Sequence, residues 1–470
     1  MLLNIARVVL IVLEVVVLFN MLIVVHELGH FLAARWRGLY IEGFGVWFGK
    51  PLWKKTVNGV QYSLGSIPFG GFVKLPQLAP MDIIEGDADV DRAKLPPISA
   101  LDKIIVAIAG PIFSFLLALF FASIVWAVGH PVNESDMTTT IGYVEQDSPS
   151  AKAGLLPGDK ILEVDGRPVT RFSGMNHSVV WNVVRSEGET IPFKVERDGK
   201  QLTFAVTPYK SETRGWQRKS TRQVLIYPAQ TPIVEKVQPN TPAAEAGLQA
   251  RDIIRGYNGM RIYSPAALSD FIETHNGAPV TLQIERGGTV SDVSLTPRIA
   301  PGEKLPRIGI AWDTTGKMSI AHPSPIEQVY NSVTSTINTI AAVASPKSDV
   351  KLQHLSGPVG IGHVYYLLFK SERGWQLALW FSVILNVNLA ILNMLPIPVL
   401  DGGHIVLALV ESVRRKPVNI RILEFVQTGC AVVIIGYMVY VSFFDIGDFF
   451  GHKQDKEEGS RAATKSTPAR

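Results

Sequence analysis

The stretch Val24-Val25-His26-Glu27-Leu28-Gly29-His30 sets two imidazoles four residues apart, with a carboxylate directly after the first. Helical residues four apart lie roughly 40° from one another around the axis, so His26 and His30 project from one face and can grip a single metal ion. Zinc takes imidazole nitrogen and carboxylate oxygen, and a catalytic zinc keeps one position open for water. The pattern therefore offers two ligands and, in Glu27, a general base. A pair of histidines packed in a core is the plainer reading. Against it stands an apolar run starting at about Val8, in which polar groups are costly and usually functional.

Two imidazoles leave the site incomplete. Far along the chain, Asn386, Asn388 and Asn393 precede Pro396-Ile397-Pro398-Val399-Leu400-Asp401-Gly402-Gly403-His404. Prolines and glycines at that density break a helix, and irregular backbone at bilayer depth is tolerated only against protein or a water-filled cavity. By itself an aspartate before Gly-Gly is a turn residue. The ligand missing from the first helix shifts the reading of Asp401 to metal, with His404 as the competing donor.

The elements that position these groups belong to a membrane protein. Of 470 residues, 47% are hydrophobic and 18% charged, where about 25% charged is typical. Four stretches, 8–34, 104–128, 375–395 and 425–444, approach the ~20 apolar residues needed to span a bilayer. The first is too long for a secretory signal, shows no small-residue cleavage pattern, and reads as retained. A net charge of +4 without a long basic run points away from nucleic acid. The single cysteine, Cys430, excludes an internal disulfide. Arg35, Arg37, Lys50, Lys54, Lys55 and Lys74 follow the first span, and Arg414, Arg415, Lys416 and Arg421 separate the third from the fourth. By the positive-inside rule both clusters are cytoplasmic, which makes the large central insert and both termini extracytoplasmic. His26 then lies about 14 Å from the cytoplasmic end of its helix, within the bilayer's depth. Glu14, roughly 120° around the helix from His26, is no ligand.

Between the spans the pattern changes. Trp53-Lys54-Lys55-Thr56-Val57-Asn58-Gly59-Val60-Gln61-Tyr62-Ser63-Leu64 has Asn-Gly at a two-residue turn, a strong hairpin signal. Ile67 to Lys74 follows as a further strand with a glycine break. This sheet is either structural or offers an edge that pairs with an unwound substrate. Asp87, Asp89 and Asp91 resemble the start of a calcium loop, but Arg92 and Ile98 occupy the positions needing glycine and a bidentate glutamate, so 80–97 reads as a polar linker. Ala109-Gly110-Pro111-Ile112-Phe113-Ser114 opens the second span and reads as close helix packing without chemistry. From 325 to 344, Ile326, Val329, Val333, Ile337 and Ile340 mark an amphipathic helix.

The insert contains a repeat. Ala151-Lys152-Ala153-Gly154-Leu155-Leu156-Pro157-Gly158-Asp159-Lys160-Ile161 recurs as Ala244-Glu245-Ala246-Gly247-Leu248-Gln249-Ala250-Arg251-Asp252-Ile253-Ile254, each copy continuing into a helical stretch and alternating strands. The pattern resembles tandem PDZ domains of the circularly permuted bacterial type, which capture extended peptide ends by strand addition. Ile141-Gly142-Tyr143-Val144 is expected to form a carboxylate-binding turn for peptide C-termini in the first copy, and Thr231-Pro232-Ile233-Val234 lacks the glycine in the second.

Together, His26-Glu27-Leu28-Gly29-His30, Asn393 with Pro396 and Pro398, Asp401-Gly402-Gly403 and the repeated insert resemble the site-2 family of intramembrane zinc metalloproteases, over nearly the whole chain to about Phe450. The resemblance implies Zn2+ held by His26, His30 and Asp401, Glu27 as base, Asn393 as a substrate-positioning residue, and a membrane-dipping sheet over 41–74 that holds unwound substrate. It implies regulated proteolysis of single-span substrates, anti-sigma factors or remnant signal peptides, in a bacterial inner membrane. Ser114 departs from the asparagine that family members commonly place after the Ala-Gly-Pro turn. The expected fold is a four-helix polytopic α-helical membrane core with a membrane-associated β-sheet and an inserted tandem pair of α+β PDZ domains. Its expected parts are 1–130 with the first two spans, PDZ domains at 138–210 and 226–298, a connecting region at 299–372, the last two spans at 373–450, and a disordered tail at 451–470. The rival is a non-catalytic membrane adaptor presenting PDZ domains around a structural zinc.

Overall fold

A computed structural model describes residues 2–78, 95–213, 217–300, 302–416 and 418–464. The aspartates at 87, 89 and 91 lie outside them. Among the described residues four helices are long and apolar enough to cross a membrane, at Ile5–Arg37, Ala100–Val128, Gly374–Asn393 and Arg421–Asp448, one for each apolar stretch of the sequence. The chain divides into two units, one built from 1–130, 322–338 and 356–445, the other from 131–321, 339–355 and 446–470.

The first unit opens with α1 (Leu2–Arg37) and a four-stranded sheet of β1 (Gly43–Phe48), β2 (Trp53–Val57), β3 (Val60–Leu64) and β4 (Ile67–Lys74), in the order β2-β3-β1-β4. Asn58 and Gly59, both at positive φ, make the β2–β3 turn, since only residues that tolerate the left-handed region close so tight a hairpin. The sheet's apolar face, with Phe44, Val60, Tyr62 and Val73, packs on Phe31 and Ala34 of α1. β4 is an edge strand. α2 (Ala100–Val128) begins at Ser99, whose hydroxyl accepts from the Asp102 N–H in a capping box. Leu22 of α1, Leu117, Ala118 and Phe121 of α2, and Val383 and Val387 further on make the buried seam between the spans.

The second unit holds two segments of matching element order. The first runs through β5 (Ile141–Val144), α3 (Pro149–Ala153), β6 (Lys160–Val164), β7 (Arg167–Pro168), α4 (Val179–Val184), β8 (Ile191–Arg197), β9 (Lys200–Val206) and β10 (Ile226–Pro228). The second runs through β11 (Val234–Val237), α5 (Pro242–Glu245), β12 (Ile253–Tyr257), β13 (Met260–Arg261), α6 (Pro265–Thr274), β14 (Val280–Arg286), β15 (Thr289–Leu295) and β16 (Ile310–Trp312). Their sheets run β9-β8-β6-β7 and β13-β12-β14-β15, one order read in the two directions. Each carries the same ion pair on a buried aspartate: Arg197 grips Asp159 through two bonds of 2.6 Å and donates to the Gly154 carbonyl at 2.8 Å. Arg286 does the same to Asp252, at 2.7 Å twice, and to Gly247 at 2.8 Å. The turn expected at Ile141–Val144 is instead strand β5, paired with β10 through Tyr143 and Tyr227. A Cβ on Gly142 would sit 2.3 Å from the Pro228 carbonyl oxygen, so that glycine serves a close strand approach.

The amphipathic segment forms α7 (Pro325–Ala344), followed by α8 (Pro358–Lys370), α9 (Gly374–Asn393), α10 (Asp401–Arg414) and α11 (Ile420–Thr464). Three helices beyond the expected four-helix core, α7, α8 and α10, accompany the spans. The tail expected to be disordered from 451 continues α11 to Thr464.

Candidate metal centre

All the groups singled out at the start belong to the first unit. His26 and His30, eleven and seven residues before the end of α1, are both buried. Asp401 is the first residue of α10, where a carboxylate is favoured by the helix dipole. It reaches that place because α9 stops at Asn393 and the chain turns through Pro396 and Pro398, with Gln427 of α11 donating to the Pro398 carbonyl at 3.3 Å. Gly402 and Gly403 allow the first turn of α10 to press on this segment: Cβ atoms there would sit 2.3 Å from the Met394 oxygen and 2.2 Å from the Ile397 oxygen.

The three side chains meet as one group, the only such group of His, Cys, Asp and Glu among the described residues. His26 Nε2 lies 3.1 Å from Asp401 Oδ2, His30 Nε2 lies 3.3 Å from Asp401 Oδ1, and the two Nε2 atoms are 3.2 Å apart. Tetrahedral zinc with bonds of about 2.0–2.1 Å separates its ligand atoms by about 3.3 Å, so the donor set fits that ion in type and spacing. The far nitrogens are fixed as a zinc site requires. His30 Nδ1 donates to the Val106 carbonyl at 2.8 Å, and His26 Nδ1 is 3.0 Å from the Ser114 hydroxyl, which leaves both Nε2 atoms facing Asp401. Gly110 of α2 opens the space beside them, since a Cβ there would stand 2.2 Å from His30 Nε2 and 2.8 Å from His26 Nε2.

Asn393 ends α9 with its amide nitrogen 3.1 Å from His26 Nε2, aimed into the same space. Glu27 is not one of the three clustered groups. It faces β4, its Cγ 3.6 Å from where a Cβ on Gly71 would stand. His404, the competing donor, lies one turn along α10 and outside the cluster. Asn388 instead bonds the Thr336 hydroxyl, and Asn386 donates to Ser382 of its own helix. Glu14 is exposed on α1.

The Ala109-to-Ser114 stretch, read as packing alone, lines the centre. Ser114 is the sole polar side chain between Lys103 and Ser123 and follows Gly110 by four residues, on the same helix face. That isolated hydroxyl was the signal available for a partner 88 residues away.

With this geometry in hand, comparison with known proteins gives a consistent result. A family model described as "Peptidase family M50" matches residues 14–436. The regulator of sigma-E protease RseP of Escherichia coli (strain K12) is 27% identical over 459 residues, covering 92% of this chain and 97% of its own. A Pasteurella multocida protein provisionally named zinc metalloprotease PM1991 is 30% identical over 461 residues, covering 92% and 97%. Among solved structures, the PDZ domain of an SdrC-like protein from Listeria monocytogenes matches 18% of this chain and 87% of its own at 24% identity, with a TM-score of 0.17.

Proposed function

The chain belongs to peptidase family M50 as a site-2 zinc metalloprotease of the inner membrane, and from that premise we propose that it hydrolyses peptide bonds inside the bilayer, in the membrane segments of single-span proteins. The observation carrying this reading is the group of His26, His30 and Asp401, with donor atoms 3.1–3.3 Å apart and both histidines on a helix long and apolar enough to span a membrane.

In this reading His26, His30 and Asp401 hold the zinc, and three protein ligands leave a fourth position open, as catalysis needs and a closed structural site does not. When bound, the ion supplies Lewis acidity toward water and toward a carbonyl oxygen. Glu27 takes the proton from the attacking water and returns it to the departing amine. Asn393 donates to the reacting segment's carbonyl side. A substrate helix hides its carbonyls in its own hydrogen bonds, so it unwinds before attack, and the edge of β4 receives its freed backbone groups. The two inserted segments act as tandem PDZ domains on the extracytoplasmic side, admitting substrates whose outer domain has already been removed, with anti-sigma factors and remnant signal peptides as the substrate classes.

The test is to incubate the purified protein with a panel of single-span segments, with and without a chelator. Cleavage within the apolar stretch that stops on chelation is expected. Zinc-bound protein that binds the segments without cutting any of them would return the adaptor reading.

A further inference from the structure

The pairing of β1 with β4 is interrupted. Phe48 faces Ile67 and Val46 faces Gly71, so Trp47 alone stands opposite residues 68–70. Trp47 has φ 69° and Gly70 φ 86°. The left-handed region is natural for the glycine and costly for a large L side chain, so the surroundings hold this bulge in place. Pro68 falls in this break with no residue of β1 paired to it, and in an apolar setting a carbonyl without a partner is expensive.

Asn20 supplies the partner. It is buried in α1, and its amide nitrogen donates to the Pro68 oxygen at 3.0 Å and to Val16 of its own helix at 2.7 Å. Beside it, the Phe19 ring stacks on Phe69 with centroids 5.3 Å apart. Asn20 precedes Glu27 by seven residues, which places the two roughly 20° apart around the helix and about 10 Å apart along it. One face of α1 therefore holds the bulge of β4 at one end and presents the base to the same strand at Gly71, at the other.

We propose that Asn20 is a positioning residue that sets the register of β4, and through it which bond of the substrate is presented to the metal. The polypeptide between Pro68 and Gly71 is too short to absorb a slip, so a shift of the bulge moves the whole edge relative to His26 and His30. One residue of slip also exchanges the groups pointing outward from the edge.

This inference rests on β4 as the strand that receives substrate, and the experiment separates the two. A single-span segment cut by the native protein is digested with Asn20→Leu, Asn20→Ala and Asn20→Gln, and the cleaved bonds are identified by mass spectrometry. The Leu and Ala variants should bind zinc like the native protein yet spread cleavage over neighbouring bonds, with the original bond losing about tenfold in rate. Asn20→Gln, which keeps the donor, should restore the original bond. If the Leu and Ala variants cut only the original bond, whatever their rate, Asn20 merely supports the fold and the assignment fails. If the native protein cuts none of the segments, it is the reading of the function that fails.

Discussion

Asp401 Oδ2 lies 3.1 Å from His26 Nε2 across a sequence separation of 375 residues. The first helix supplies two donors of the group and α10 the third, so the group closes only when both are in place. Asp401→Ala should lower zinc affinity at least a hundredfold, about 2.8 kcal/mol at 1.4 kcal/mol per decade. Competition with a graded series of chelators measures it, and unchanged affinity would remove Asp401 from the set.

Glu27 stands outside the cluster, so its proposed role as base is separable from metal binding. Glu27→Gln keeps the shape and removes the carboxylate. Zinc stoichiometry should stay at the native value while cleavage of a model single-span segment falls by about 10²–10⁴. Activity at the native level would exclude Glu27 as the base.

Ser114 touches the proposed zinc site only through His26, whose Nδ1 lies 3.0 Å from its hydroxyl. Ser114→Ala should weaken zinc binding about 10–100-fold, the usual effect of losing such an outer partner, whereas Ser114→Thr keeps the hydroxyl and should restore it. Thermal denaturation with excess chelator gives the control, because the metal-free proteins should melt alike.

Gly110 makes a steric prediction of the opposite kind. In Gly110→Ala the new methyl would stand 2.2 Å from His30 Nε2, closer than two nonbonded atoms approach, so the variant should lose zinc even though alanine is the better helix former. Gly436→Ala, where a Cβ meets nothing within 4 Å, should bind zinc normally.

In the second unit, burial alone would raise the pKa of Asp252, and its bonds to Arg286 and the Gln249 N–H outweigh that and hold it below the usual carboxylate range. A group depressed in the folded state contributes stability above its unfolded pKa of about 3.9 and loses it as pH falls toward the folded value. Hydrogen exchange of β12 and β14 in the full chain should therefore accelerate as pH drops below about 4, after correction for intrinsic rates. Asp252→Asn should flatten that part of the dependence.

How much of this was legible in the chain depends on the range of the signal. The histidine pair is local, since spacing of four on a helix is enough to align two rings. Asp401 was legible because two prolines and two glycines disclose a broken helix in an apolar context where regular backbone is otherwise required. The hairpin at Asn58-Gly59 and both copies of the repeat were visible for the same reason. What escaped depends on partners far away in sequence. Ser114 is one hydroxyl in an apolar run, and nothing near it announces His26. Gly142 carries the type of residue a carboxylate turn needs, yet it is the approach of Pro228 that demands a glycine there. Asn20 looks like one more polar interruption of a span until the gap in the β1–β4 ladder shows which carbonyl it serves.

The separation of the two halves of the cage also orders the protein's assembly in time. The histidines leave the ribosome and enter the bilayer long before the aspartate has been synthesised, and a pair of imidazoles alone holds zinc weakly. On the proposed ligand set, metal capture waits until the late helices have inserted and docked, and a chain interrupted before residue 401 carries Glu27 in the membrane without the third ligand.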